Sequence, residues 1–430
     1  MTTLSGDHGP ENNLKYRLGF FTSAVFLVFA IARSPSLFRK PRMWAEEATW
    51  FYNQFQFMDF EHSITLIYRE NYQFLTNLIV YVSTLFRAVW AAHVTTYVSL
   101  AVSTFVAYCL GLLVASRKAP WLFIVPLAAI WAFLPPGYEI FYTVTNLQWV
   151  CSISMLVLLT LPLERVGRGH RLVFWAWSIV CGLTGVPSCI VAPAFLFRGI
   201  AERRKDHLII GLLLSACAVF QLAIILTHPA LDVRLFPHNA KGLLLPALLQ
   251  TCLSPILGND IVELIAIQIR SDAMHSGMLV FVAALSAAMV LAFCTMLAWS
   301  EVSNRCLVVA LVGLWIGASI INTFGSLGEP SKLIAGSYNN RYFALGDMCL
   351  ILLLFLSTRS PNLVAKRISL SLIVYLTILF VGQALWSPSA WIIRNAGPRW
   401  KSQIEACGDR RPCTVTVWPT PEWNFPLHRL

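Results

Sequence analysis

Charge is scarce in this chain, and negative charge most of all: 21 Asp and Glu among 430 residues, against 32 Lys and Arg, with only 12% of residues charged. An ordinary soluble domain carries about 25% charged residues, so a conventional water-facing globule is excluded. Other signatures are missing as well. No Gly-rich nucleotide loop, no His/Cys cluster at metal-ligand spacing and no Ser-His-Asp arrangement is apparent, which argues against nucleotide-sugar chemistry. There is no internal repeat and no low-complexity segment, and no small-residue cleavage site precedes Arg33. The first apolar run, Leu18 to Ala32, therefore reads as a retained helix rather than a signal peptide.

What is present is apolar. Hydrophobic residues make up 57% of the chain and mean hydropathy is +0.65. A spanning helix needs about 20 apolar residues, because only a helix satisfies its own backbone hydrogen bonds in hydrocarbon. The expected fold is an all-α polytopic membrane protein. The net charge of +11 does not point to nucleic acid, because the cations recur in short clusters between apolar runs: Lys15/Arg17, Arg117/Lys118, Arg165 to Arg171, Arg198 to Lys205, Arg305, and Arg359 to Arg367. That pattern orients helices with positive loops in the cytoplasm.

On this reading the outward segments are 33–71, 135–146, 228–274 and 325–340, with a small outer tail, 387–430, following the 1–386 bundle. Spans are expected near 119–134, 147–163, 207–227, 276–299, 306–324, 341–357 and 368–386, and the stretch 72–116 should hold an oblique surface helix and one long crossing. The run Leu172 to Phe197 has basic clusters at both ends and Gly182-Leu-Thr-Gly-Val-Pro187 at its centre. It reads as two half-crossing helices, and such a break requires protein or a water-filled cavity around it. The pieces sum to about 11 crossings.

Nine of the 11 cysteines sit in or beside apolar runs, where a thiol behaves as a small hydrophobe. Cys407 and Cys413 lie instead in the polar tail, on the outer side, where a disulfide is expected.

Three polar constellations stand out. The first is Trp44-Ala-Glu-Glu-Ala-Thr-Trp-Phe-Tyr52. Consecutive Glu46 and Glu47 point about 100° apart on a helix, so one of them is the working carboxylate. Aromatic surroundings would raise its pKa toward the range useful to a general base; an interfacial helix with its acids in water is the alternative. The second is the turn Leu134-Pro-Pro-Gly-Tyr-Glu139 followed by Asn146-Leu-Gln-Trp149. Glu139, Asn146, Gln148 and Trp149 face an outer cavity on one reading, and on the other Asn146 caps a helix while Trp149 anchors at the interface. The third is Gly336-Ser-Tyr-Asn-Asn-Arg341-Tyr342-Phe, where an outward arginine fits either an anion site or a snorkelling side chain. Lys332, Arg270, Lys241 and Arg234 lie on outer loops and can join such a patch, and Asp347 is an intramembrane acid.

The Glu46/Glu47 loop, the Pro-rich turn before Asn146-Leu-Gln-Trp149, the broken Gly185-Val-Pro187 pair and the Asn340-Arg-Tyr-Phe343 helix start together resemble the GT-C class of polyprenyl-phosphate-sugar glycosyltransferases. They look most like the bacterial inner-membrane enzymes that decorate O-antigen or other envelope glycans. The resemblance implies a catalytic acid in the first outer loop, hence Glu46 or Glu47, where many members carry Asp. It implies inverting transfer from a polyprenyl-phosphate sugar to a periplasmic glycan acceptor, served by a donor synthase and a flippase. Some members use a divalent cation, Mg or Mn, which Glu47, Glu139 and Asp347 are the acids to hold. Tyr342 beside Arg341 joins the substrate-binding set. A transporter or lipid-linked-sugar flippase is the competing class, since it too has broken helices and intramembrane charges; a membrane O-acyltransferase would need an intramembrane histidine, for which His93 is the candidate.

Overall fold

Hydrocarbon offers the backbone no partner but itself, and the chain is accordingly built of helices. The computed structural model describes residues 10–135, 141–228, 245–271, 276–299, 305–325, 340–386, 399–408, 412–418 and 423–428. Its principal helices are α1 (Pro10–Arg33), α2 (Phe74–Thr84), α3 (Ala88–Ser116), α4 (Ile124–Phe133), α5 (Leu147–Thr160), α6 (Arg168–Leu183), α7 (Val186–Cys189), α8 (Ala192–Ala201), α9 (Lys205–Thr227), α10 (Asn259–Ser271), α11 (Ser276–Trp299), α12 (Arg305–Gly325), α13 (Ala344–Ser357), α14 (Leu363–Trp386) and α15 (Trp400–Cys407). Among the described residues, six helical stretches are long and apolar enough to cross a membrane: Asn13–Arg33, Ala88–Ser116, Lys205–Thr227, Val280–Trp299, Arg305–Thr323 and Leu363–Trp386. Shorter apolar helices lie between them. The protein is an all-α, multi-pass membrane protein.

The stretch 72–116 resolves into the 11-residue α2 and the 29-residue α3. At about 1.5 Å per residue α3 is longer than an upright crossing of a hydrocarbon core of about 30 Å requires. α1 packs along α3 at a glycine crossing, where a Cβ on Gly111 would lie 2.6 Å from the Leu18 carbonyl oxygen and 2.7 Å from the Gly19 Cα. Small residues let helices approach this closely where lipid gives no hydrophobic drive to associate.

Two short helices, α5 and α13, form the centre. Every residue of α13 is buried, as is every residue of α5 except Gln148. Both sequences are apolar on all faces, Val150-Cys-Ser-Ile-Ser-Met-Leu-Val-Leu-Leu159 and Met348-Cys-Leu-Ile-Leu-Leu-Leu-Phe355, and a helix without a polar side belongs inside. They touch each other, and α3, α7, α11, α12 and α14 pack around them. The broken helix expected over 172–197 is present: α6 stops at Leu183, and the chain resumes through α7 and α8.

The end of the bundle that carries the first long loop is closed by tertiary contacts. Arg33, at the last turn of α1, donates to the Ala132 carbonyl at 2.6 Å and lies 5.5 Å from the Phe141 ring centre, satisfying an orphan carbonyl at the end of α4. A two-stranded hairpin, β1 (Ile67–Tyr68) and β2 (Asn71–Tyr72), sits in that loop. A second hairpin, β3 (Cys413–Thr416) and β4 (Asn424–Leu427), belongs to the tail. Cys407 and Cys413 are joined in a disulfide that ties α15 to β3. The tail docks on the first loop: the Trp418 N–H donates to the Met43 carbonyl at 3.2 Å, Arg42 covers the Trp418 ring at 4.2 Å, and Trp400 Nε1 donates to the Ala88 carbonyl at 2.7 Å. The remaining nine cysteines are free, and all but Cys306 are buried.

Candidate active site

The first-loop helix widens into a π-helical turn over Glu47–Tyr52, a geometry that recurs at functional positions because it re-aims side chains. Aromatic packing holds it: Phe51 meets Phe55 and Tyr68, and Tyr52 meets Trp400 edge-on. The two carboxylates consequently diverge. Glu47 turns inward and is 1% exposed; its Oε2 accepts the Val144 N–H at 3.1 Å. Burial pushes its pKa up to about 7 against the opposing pull of the Thr95 hydroxyl and the Val144 amide. Its Oε1 has no hydrogen-bond partner. Glu46 remains partly exposed and faces the hairpin.

Tyr68 of β1 is the meeting point. Its ring packs against Trp50 at 5.0 Å and Phe51 at 5.2 Å, and Arg69 lies over it at 5.2 Å. Burial first, then the charge of Glu46, raises its pKa to about 12, while Arg69 and Arg341 act in the opposite sense. One phenol hydroxyl thus feels a carboxylate from the first loop, a cation from the hairpin tip and a cation from the entry of α13.

Arg341 sits in the 3₁₀ turn Asn340–Phe343 that leads into α13, with its guanidinium 5.5 Å from the Tyr342 ring. Tyr342 in turn meets Trp149 of α5 edge-on at 5.1 Å, and its carbonyl accepts from Asn322 Nδ2 at 2.7 Å. Trp149 Nε1 is buried without a partner. Gln148 Oε1 accepts from Asn71 Nδ2 at 2.8 Å and crowds Gly185, where a Cβ would lie 2.6 Å away. The entry of α5 is therefore gripped by the first loop through Glu47, by the hairpin through Asn71, by the break before α7 through Gly185, and by the entry of α13 through Tyr342. The amino-terminal ends of the two central helices open here, and each carries partial positive charge.

The structure thus brings together residues of all three polar constellations, Glu46 and Glu47, Gln148 and Trp149, and Arg341 and Tyr342. Asn146 does not cap α5 with its side chain; its amide nitrogen donates to Thr143 Oγ1 at 3.2 Å, because the preceding 3₁₀ turn, Val144–Asn146, puts it beside that hydroxyl. Asp347 is 2% exposed in the first turn of α13, and its Oδ1 has no partner. Glu139, Arg234, Lys241 and Lys332 lie outside the described residues, as does the side chain of Arg270 at the end of α10. Among the described residues no three His, Cys, Asp or Glu side chains converge as metal ligands do. His93 packs on Trp90 at 4.9 Å in the first turns of α3.

Sequence reasoning missed Tyr68, Arg69 and Asn71. Their segment, Ile67-Tyr-Arg-Glu-Asn-Tyr72, lacks the Asn-Gly or Asp-Gly pair that announces a tight hairpin; the available signal was two charges framed by tyrosines in a chain poor in charge. No protein family, curated protein or solved structure matches the chain.

Proposed function

We propose that the chain is an integral-membrane glycosyltransferase that moves a sugar from a polyprenyl-phosphate donor to a glycan acceptor, with inversion at the anomeric carbon. In this reading the bundle makes about 11 crossings, sits in a bacterial inner membrane, and opens its site to the periplasm. The observation that carries it is that the first loop and the Arg341 turn, distant in sequence, meet at the entry of α5: Asn71 of the hairpin bonds Gln148, Trp149 packs on Tyr342 beside Arg341, and the charges of Glu46 and Arg341 both act on Tyr68. A base and a phosphate-binding cation held around one small space, at the mouth of an apolar bundle that accepts a lipid tail, are what such a transfer requires.

The roles follow from the surroundings. Glu46, partly exposed, takes the proton of the attacking acceptor hydroxyl as the new bond to the anomeric carbon forms. The bond from that carbon to the phosphate oxygen breaks on the opposite face, and the phosphate is held by Arg341, whose planar fork pairs with phosphate oxygens. Glu47, closed off from solvent and bound to the Val144 amide, is a positioning residue that fixes the loop against α5. Buried Asp347, whose Oδ1 has no hydrogen-bond partner, and the break at Gly185 also suit a transporter.

The deciding experiment is transfer of radiolabelled sugar from a panel of polyprenyl-phosphate sugars to envelope glycan, by membranes containing wild type, Glu46→Gln or Arg341→Ala at matched expression. Transfer by wild type that is lost in both variants supports the reading. If wild type transfers from no donor, the transporter reading takes its place.

A further inference from the structure

The tip of the β1–β2 hairpin is strained. Tyr68 pairs with Asn71 and Ile67 with Tyr72, leaving Arg69 and Glu70 as a two-residue turn with φ of 46° and 63°. Positive φ at both central positions is the type I′ geometry, which strongly favours Asn-Gly, Asp-Gly or Gly-Gly. Neither Arg nor Glu prefers this backbone, and such strain persists where the surrounding structure over-determines it. Here it does: Tyr68 is clamped between Trp50 and Phe51, and Asn71 is bonded to Gln148. The turn holds an exposed arginine with its guanidinium 5.2 Å from the Tyr68 ring, on which the charges of Glu46 and Arg341 also act. A turn that served only to reverse the chain would do so better with small residues.

The charge balance of the proposed reaction gives this cation a task. A donor phosphodiester carries one negative charge, whereas the departing phosphate monoester carries about 1.5 to 2 at pH 7. The added charge appears on the bridging oxygen as the electron pair of the sugar–oxygen bond leaves with the phosphate, while the acceptor's proton passes to Glu46. We propose that Arg69, presented by this strained turn, is a catalytic residue that meets the charge developing on the leaving phosphate, while Arg341 holds the charge already present in the donor. This rests on the glycosyltransferase reading and adds a division of labour between the two arginines. An interaction made only as charge develops raises kcat rather than donor affinity.

The test uses Arg69→Asn and Arg69→Lys in the full-length protein, purified in detergent. Asparagine tolerates the left-handed region, so Arg69→Asn keeps the turn and should melt at or above the wild-type temperature. Two probes report binding without turnover: farnesyl phosphate as the dianion and its methyl diester as the monoanion. Arg69→Asn is expected to weaken farnesyl phosphate roughly 10-fold or more and the diester less than about 3-fold, and to lower kcat by about 100-fold with donor KM near the wild-type value. Arg69→Lys should recover part of both losses. If wild type transfers sugar and Arg69→Asn loses neither kcat nor dianion preference, this assignment is overturned while the transferase reading stands; if wild type neither transfers sugar nor binds either probe, both fall.

Discussion

Glu46 and Glu47 are neighbours in sequence with opposite surroundings. The π turn sends one toward the charged cluster at Tyr68 and the other into a buried contact with the Val144 amide. Glu46→Gln should therefore reduce transfer by about 10² to 10⁴, the range for removing a general base, whereas Glu47→Gln, which retains an acceptor for the amide, should keep most of it. Initial rates on matched membranes separate the two. The raised pKa of Glu47 has a second consequence. Its folded value of about 7 lies above the ordinary 4.5, so between those values the folded state binds more protons than the unfolded one, and stability falls as pH rises through that window. The span corresponds to about 3 kcal/mol. Thermal melts of wild type should drop from about pH 5 to pH 8, and Glu47→Gln should flatten that slope; parallel slopes would show that another group dominates. Adjacency and aromatic context singled out this pair from the sequence. Which acid is buried depends on Val144 and Thr95, contributed by other segments, and no local pattern carries that information.

At the scale of elements, the broken helix and the hairpin are the pieces that shape the site. The break was legible because Gly and Pro between two apolar runs interrupt a helix whatever surrounds them. Its consequence, contact with Gln148, was not. Gly185→Ala would place a methyl group 2.6 Å from Gln148 Oε1 on a backbone with φ of 154°, so a cost of about 1 to 3 kcal/mol is expected, with part of it recovered in the double variant with Gln148→Ala. Melting temperatures of the two singles and the double test this, and strict additivity would mean that the contact carries no energy. The hairpin escaped notice for the opposite reason. Its turn residues are unfavourable ones held by tertiary packing, so the local sequence argued against a turn that the fold imposes.

At the scale of the whole molecule, the tail straps the first loop. Trp418 bonds to Met43 and Trp400 to Ala88, on either side of the Glu46 segment, and the Cys407–Cys413 disulfide joins α15, which carries Trp400, to β3, which ends two residues before Trp418. Replacing both cysteines with serine should destabilise this small unit by about 2 kcal/mol, on the closure entropy of a short loop. Limited proteolysis of the tail should accelerate and transfer should fall, since the strap holds the loop that carries the base. Unchanged cleavage and rate would mean that the packing of Trp400 and Trp418 suffices alone. By itself the sequence determined the class of molecule, because scarcity of charge and runs of apolar residues are properties of composition that hydrocarbon reads directly. It also determined the broken helix and the outlying cysteine pair, whose signals are local. Tertiary structure decided the rest: that α5 and α13 are the central helices, that their entries meet, and that the charges of Glu46, Arg69 and Arg341 all act on Tyr68. The physical reason is that burial and long-range contact depend on which helices pack together, and a chain so uniformly apolar leaves few local marks of its packing partners.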